Sequence, residues 1–302
     1  MWNVMKNILF VLIGILLASS SCKQKPYTME VDGGISIKCR ITGMEANGED
    51  IDSIRSILTK RLQIIDPRII PSIEYEKGDS IYKIDIPGVE DNKIRRILMH
   101  GNISIEEMYM THEIFPYLAD NPLIDQSILP HIYNPNGNNE LIKKINPKRM
   151  AKIDSILSRD SVKASLPGDV VFVWGEGNDA EMPELYPIRR KQNKILINSF
   201  FEESEVEQSR YNSFYEIGIK LSKEGGKRFE MMTSANIGRQ LAIILDNEVL
   251  SAPTVMSKIE GGRMMISGSY GEKEMLLINS LLHSPIIKSD IEVIRVTKIN
   301  KS

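Results

Sequence analysis

Between Ile51 and Ile65 the apolar residues recur at three- and four-residue spacings, and from Ile81 the spacing switches to two. That change of period constrains the fold most, because a helical stripe and a strand face must bury against each other. In IDSIRSILTKRLQII, the residues Ile51, Ile54, Leu58, Leu62 and Ile65 make one stripe, and Asp66-Pro67 ends the helix. In SIYKIDIPGV, Tyr82, Ile84 and Ile86 share one strand face, Lys83 and Asp85 the other, and Pro87-Gly88 turns the chain. Asp91 then opens a second helix through Ile94, Ile97 and Leu98, closed at Gly101, and ISIEEMYM follows as a strand. Ahead of these, YTMEVDGGISIKCRI alternates around Asp32-Gly33-Gly34, a bend or bulge within a strand region. Strand, helix, strand, helix, strand with short connections predicts helices packed on one sheet.

From about His112 to Glu207 the pattern loosens, punctuated by Pro116, Pro122, Pro130, Pro135 and Pro147 and by the turn-rich NPNGNNE. Val170 to Trp174 reads as a strand, and RRKQNKILINS holds another short one, so this stretch reads as an inserted lobe. Regularity returns at YEIGIKLS, a strand, and at KEGGKRFEMMTSANIG, a short helix with Gly238 as C-cap. LAIILDNEVLSAPTV reads as a hairpin: Leu241 to Leu245 is a strand buried on both faces, and Asp246-Asn247 is its two-residue turn. Pro253 makes the returning strand an edge strand or ends it. A last helix buries Met275, Leu276, Ile278, Leu281 and Leu282, stops at Pro285, and leads to a final strand, DIEVIRVTKI.

The first residues stand apart. Ile8 to Ala18 is apolar but, at about eleven residues, short for a bilayer span and suited to a signal-peptide core. It runs into LLASSSC. Small residues followed by Cys22 resemble a bacterial lipobox, although Ser19 stands where that pattern prefers a large aliphatic residue. Lipidation at Cys22 is therefore expected, with ordinary secretory cleavage as the alternative. Surface-exported lipoproteins resemble one another in carrying acidic residues after the cysteine; Lys23-Gln24-Lys25-Pro26 holds none, which favours a bacterial envelope protein that is lipid-anchored through Cys22 and faces the periplasm. Inner and outer membrane are not distinguished.

Chemistry-bearing motifs are sparse. Net charge is -2, which gives no reason to expect nucleic acid as a partner. Cys39 reads as a small buried hydrophobe, and His100, His112, His131 and His283 share no metal-ligand spacing. No metal and no cofactor are expected. The acids of FEESEVE (Glu202, Glu203, Glu205 and Glu207) read as a solvated helix start. Serine-elbow, HExxH and P-loop patterns are missing, so an enzyme, such as a periplasmic hydrolase, is the weakest reading.

Several stretches line up in order with one family. MEVDGGISIK, with Asp32, Gly33 and Gly34, is similar to the start of the periplasmic P1 domain of the SecD/SecDF protein-export family. ILTKRLQ resembles its next helix through Ile57, Arg61 and Leu62, and YKIDIPGVED its following strand and turn, with Pro87 and Gly88. The best match is GGKRFEMMTSANIGRQLAIILDNEVLSAPTV, which resembles the signature of the P1 head through Thr233, Asn236, Gly238, Asp246, Ser251, Ala252 and Pro253. ILINS departs from the Leu-Thr-Gly usual before the last third.

The resemblance implies an α+β fold, a ferredoxin-like βαβ sheet base with an inserted head lobe. The expected division is a leader (1–21), an anchor linker (22–27), a first base part (28–111), the lobe (112–210), and the head signature with the closing strand (211–302). It further implies a non-enzymatic module that holds unfolded or translocating polypeptide, with the Sec translocon or SecDF as partner and the membrane reached through the lipid anchor. An adaptor that docks a membrane complex is the alternative. Aromatic residues in or beside the lobe, Phe172, Trp174, Phe200, Phe201 and Tyr211, are the candidate polypeptide contacts. The chain stops about where the family's second membrane helix begins, so no proton coupling of its own is expected.

Overall fold

The computed structural model describes residues 25–76, 80–90, 92–119, 121–124, 146–175, 183–190 and 194–301. The leader, Cys22, Asp91 and the NPNGNNE turn lie outside the described residues. The chain opens with α1 (Met29–Asp32), β1 (Gly34–Thr42), α2 (Met44–Asn47), α3 (Ile51–Ile65), β2 (Ser72–Tyr75) and β3 (Ile81–Pro87). A 3-10 helix, Asn92–Leu98, leads to β4 (Ile103–Met108), α4 (Thr111–Ala119), α5 (Pro147–Leu157) and α6 (Asp160–Ser165). Then come β5 (Val170–Gly175), β6 (Glu184–Arg189), β7 (Ile195–Leu196), α7 (Ile197–Phe200), β8 (Phe201–Gln208) and β9 (Tyr215–Leu221). The chain continues through α8 (Lys223–Ala235), β10 (Leu241–Leu245), β11 (Glu248–Ser251), β12 (Arg263–Ile266), α9 (Glu272–Leu282) and β13 (Asp290–Ile299). Among the described residues no helix is long and apolar enough to cross a membrane.

The fold is mixed α+β. Its base is a four-stranded antiparallel sheet in the order β13-β1-β3-β2. With α3 between β1 and β2 and α9 before β13, this is ferredoxin-like connectivity, and everything from the 3-10 helix to β12 is inserted into it. Asp50 caps α3 by accepting from Ser53 N (2.7 Å). The helix buries Ile54, Leu58 and Leu62 against Ile35, Ile37, Cys39 and Ile41 of β1 and Ile84 and Ile86 of β3. Each such aliphatic side chain contributes about 1.5–3 kcal/mol of transfer free energy.

Several local expectations are corrected. Asp32-Gly33-Gly34 is not a bend within a strand. Met29–Asp32 is one helical turn in which Thr28 N donates to the Asp32 carboxylate (2.9 Å), and β1 starts at Gly34. The helix through Ile94 and Ile97 is 3-10, whose three-residue repeat matches that spacing. The strand ISIEEM leaves the base and joins a second sheet. FEESEVE is strand β8 rather than a helix start, because Ser204 and Val206 alternate with exposed glutamates. In α9 the buried leucine is Leu277, not Leu276. Of the two alternatives at Pro253 the second holds: β11 ends before it and is no edge, since it pairs with β5 as well as β10. Strand β6 holds Pro187 inside it.

In the inserted part, β4, β10, β11, β5 and β6 pair round into a small closed barrel, and only the β11–β5 step is parallel. Met108, Val173, Ile188, Ala242, Ile244 and Val249 fill its interior. The alternate residues of β4 and β10 (Ile103, Ile105, Leu241, Ile243 and Leu245) face outward into a larger core shared with α8, α9 and the three-stranded sheet β12-β9-β8. Helix α9 therefore serves two cores. Leu277 packs into the base, while Met275, Ile278, Leu281 and Leu282 pack into the inserted part.

One side chain holds both chain crossings between base and insertion. Arg61 of α3 is fully buried. Its guanidinium donates to Met99 O (2.6 Å) and His100 O (2.8 Å) on the outgoing crossing, and to Ser284 Oγ (2.8 Å) and Pro285 O (3.1 Å) on the return. Arg96, also buried, ties the outgoing crossing to Glu274 of α9 and Glu248 of β11.

Candidate functional site

The two glycine motifs of the base meet although they are far apart in sequence. Gly34 lies opposite Pro87, and Gly88 N donates to Gly33 O (3.0 Å). A Cβ on Gly34 would sit 2.3 Å from Ile86 O, and one on Gly88 2.5 Å from the Tyr27 ring. Both glycines also have positive φ (152° and 73°). These positions serve close backbone approach at the end of the base sheet where β1 begins and β13 ends.

The stretch from Thr233 to Pro253 fastens a long loop onto the inserted part. Thr233 is fully buried, and its Oγ1 donates to Phe229 O (2.9 Å) and accepts from Ile259 N (3.0 Å). Asn236 Nδ2 donates to Met232 O (2.9 Å), and Gly238, at φ 79°, sends its N–H to Val255 O (2.8 Å). Leu241 N reaches Pro253 O (3.2 Å), Gln240 Nε2 reaches Ala252 O (3.1 Å), and Ser251 pairs with Ile243. Arg239 grips the Glu113 carboxylate of α4 (2.7 Å). Burial pushes the Glu113 carboxyl up, but the Arg239 guanidinium and the Met110 N–H outweigh it and hold the group at about 2. Asp246, at φ 52°, turns the β10–β11 hairpin. Its carboxylate accepts from the main-chain N–H groups of Gly101 (3.2 Å) and Asn102 (2.8 Å), which clamps the turn to the segment entering β4.

Beside this loop an apolar cavity of about 360 Å³ opens between α8, β10 and β12. Phe229, Leu241 and Ile243 form its floor, and Met256, Met264 and Met265 its rim. Met256 is 83% exposed. Methionine is unbranched and polarizable, suited to varied apolar partners. The cavity's methionines stand in the sequence as the pair of GRMMIS and as Met256.

The five aromatic candidates are not gathered in one place. Phe172 and Trp174 lie half-buried on β5 against the helical core of Ile153, Ile156 and Leu157, and Trp174 Nε1 donates to Asp154 (2.8 Å). Phe172 also lines a hollow of about 390 Å³ whose wall carries Asp154, Ser158 and Lys163. Phe200 packs half-buried in the core beside α8, with the Arg228 guanidinium over its ring at 4.9 Å. Phe201 meets His283 edge-on at 4.9 Å. Tyr211 stands 94% exposed in the β8–β9 turn. None of the five lines the methionine cavity.

Among the described residues no three His, Cys, Asp or Glu side chains converge as a metal site would require. Ser204 Oγ lies 3.0 Å from His283 Nε2, a contact that resembles a nucleophile and its base. Asn279 bonds the serine rather than the imidazole, so the ordering group of a catalytic triad is on the wrong partner. Burial first, and Lys60 second, hold the His283 pKa below its usual value.

Residues 178–286 match the family model described as the SecDF P1 head subdomain, and they include α8, the hairpin, the fastened loop and every residue lining the methionine cavity except Ile105. Over those residues the chain is similar to a SecDF P1 head. SecD of Calditerrivibrio nitroreducens is 27% identical over 257 residues, covering 83% of this chain and 49% of its own. SecD of Magnetococcus marinus is 25% identical over 254 residues (78% and 46%), and SecD of Sebaldella termitidis 32% over 182 residues (53% and 45%). The chain thus spans about half the length of the curated relatives it matches. A crystal structure of SecDF in a super-membrane-facing form is similar at TM-score 0.49 and 18% identity, over 97% of this chain and 35% of that one. A SecDF component described as enhancing protein export aligns at TM-score 0.44 and 18% identity, over 86% and 98%.

Proposed function

We propose that this chain is a P1 module of protein export that holds unfolded polypeptide on the periplasmic side, anchored to the membrane through lipid on Cys22. The observation that carries the reading is the open apolar cavity of the P1 head, rimmed by Met256, Met264 and Met265. An emerging chain offers exposed apolar side chains of many shapes, and a flexible thioether rim accommodates them without a fixed register. A folded protein has already buried those side chains and finds nothing to exchange. The Sec translocon or SecDF is the proposed membrane partner.

The test is binding of the full chain to a secretory protein kept unfolded, with its folded form as control. Selective binding to the unfolded form, weakened by Met256→Asp, supports the reading. Binding to neither form, with the fold intact, moves the chain to the role of an adaptor that docks a membrane complex. Mass spectrometry of the envelope-extracted protein tests the anchor: an unmodified Cys22 removes it.

A further inference from the structure

The three-stranded sheet β12-β9-β8 has β12 at one edge, and β12 contributes Met264 and Met265 to the wall of the apolar cavity. The pairing with β9 fixes which backbone groups of β12 are engaged. Arg263 lies opposite Lys220, Met264 opposite Ile219, Met265 opposite Gly218 and Ile266 opposite Ile217. Leu221 N donates to Gly262 O (2.9 Å), which makes Gly262 and Leu221 a hydrogen-bonded pair. In an antiparallel ladder such pairs alternate, so Met264 and Ile266 point their backbone groups at β9. Arg263 and Met265 point theirs the other way, along the open edge. Among the described residues neither backbone has another main-chain partner.

An open edge is a template for another strand, and proteins ordinarily blunt such edges with charge, bulges or brevity. The other edges here carry charge, and two of them a register shift as well. β8 carries Glu202, Glu203, Glu205 and Glu207 and a register shift at Phe201/Glu203. β13 carries Asp290, Glu292, Arg295 and Lys298 and pairs across a shift at Lys38/Cys39. β2 ends beside Glu74 and Glu76. β12 reads RMMI, with one charge at its first residue, an unbroken register, and an apolar cavity at its side.

We infer that the β12 edge is a strand-addition site: an extended segment of another polypeptide pairs its backbone with Arg263 and Met265 and drops apolar side chains into the methionine cavity. This rests on the polypeptide-holding reading and gives it a mechanism. Main-chain hydrogen bonds are the same for every sequence, so capture tolerates any client. They are available only from a chain not already paired in a native sheet or helix, which excludes folded proteins. The cavity adds a preference for apolar residues at alternate positions, because a strand presents every second side chain to one side.

The experiment uses the full chain and two peptides of one sequence with leucine at alternate positions, one unmodified and one N-methylated at every second amide. Met265→Pro removes the outward N–H at a place where an edge strand tolerates proline; Met265→Leu keeps it. Amide exchange of Leu241 to Leu245 checks the fold. The expected result is binding to Met265→Pro at least tenfold weaker than to Met265→Leu, and a comparable loss for the N-methylated peptide on the unaltered protein. Equal affinity of both peptides overturns strand addition while leaving the polypeptide-holding reading in place, and it does so even if Met265→Pro fails to fold. Failure of the unaltered protein to bind either peptide or an unfolded secretory protein overturns both. A concentration-dependent dimer abolished by Met265→Pro, with peptide binding untouched, assigns the edge to a second copy of this chain and also overturns the inference.

Discussion

Asp246 and Asn102 exchange hydrogen bonds: Asn102 N donates to Asp246 Oδ1 at 2.8 Å, and Asp246 N donates to Asn102 O at 2.8 Å. The hairpin turn of the head is thereby bolted to the segment that enters β4, one residue beyond the Gly101 N–H that the same carboxylate also receives. Turn geometry alone predicts that glycine is harmless at Asp246, since it accepts positive φ freely. The clamp predicts otherwise. Asp246→Gly loses the acceptor of two main-chain N–H groups and costs about 1–3 kcal/mol. Asp246→Asn keeps one acceptor and costs less, and Asp246→Val adds backbone strain to the loss. Urea midpoints rank the three; a glycine variant as stable as the unaltered protein leaves the carboxylate without a structural role.

Arg61 is the second test of tertiary fastening. Arg61→Met keeps much of the packing but leaves carbonyls on both crossings without donors, for a cost on the order of 3 kcal/mol or more. Arg61→Lys restores a charge but not the planar fork, and recovers only part of the loss. Amide exchange near His100 and Ile287 rises before exchange in β1 does. A uniform rise through the base sheet instead makes Arg61 an ordinary core residue.

Acid weakens the lobe through Glu113. Its pKa is held near 2 in the folded protein against an ordinary 4.5, so the Arg239 pair contributes fully above the unfolded value. That contribution, about 1–2 kcal/mol after allowance for partial exposure, is lost as pH falls from 4.5 towards 2. Glu113→Gln flattens the stability curve in this window. An unchanged acid limb in that variant places the pH dependence on other carboxylates.

Cys39 is inaccessible and its thiol is raised by burial to about 11. Maleimide labelling at pH 7 therefore proceeds only through opening of the base, at the rate of β1 exchange. Rapid labelling of the folded protein at Cys39 shows a base sheet looser than this packing.

Met256 separates binding from stability. Because it is largely exposed, Met256→Gln moves the unfolding midpoint by about 0.5 kcal/mol or less. It weakens unfolded-chain binding several-fold if the cavity is the contact surface. An equal affinity for client removes Met256 from the site and returns attention to the hollow beside Phe172.

The sequence by itself determined the elements whose neighbours are local. The stripe of α3, the alternation of β3 and β9, the all-apolar β10 and the positive-φ turn at Asp246 follow from spacing and from turn chemistry within a few residues. Tertiary structure decided what depends on distant partners. ISIEEM reads as a strand in either sheet, and only pairing with β10 and β6 places it in the barrel. Arg61 reads as a polar residue between apolar ones, yet it is fully buried because two chain crossings bring carbonyls to it. The aromatics were legible as apolar surface but not as three separate places, and the methionines became one rim only when β12 and the fastened loop met beside β10. Periodicity records which way a side chain points along its own element; which element it meets there is set by the packing of all of them together.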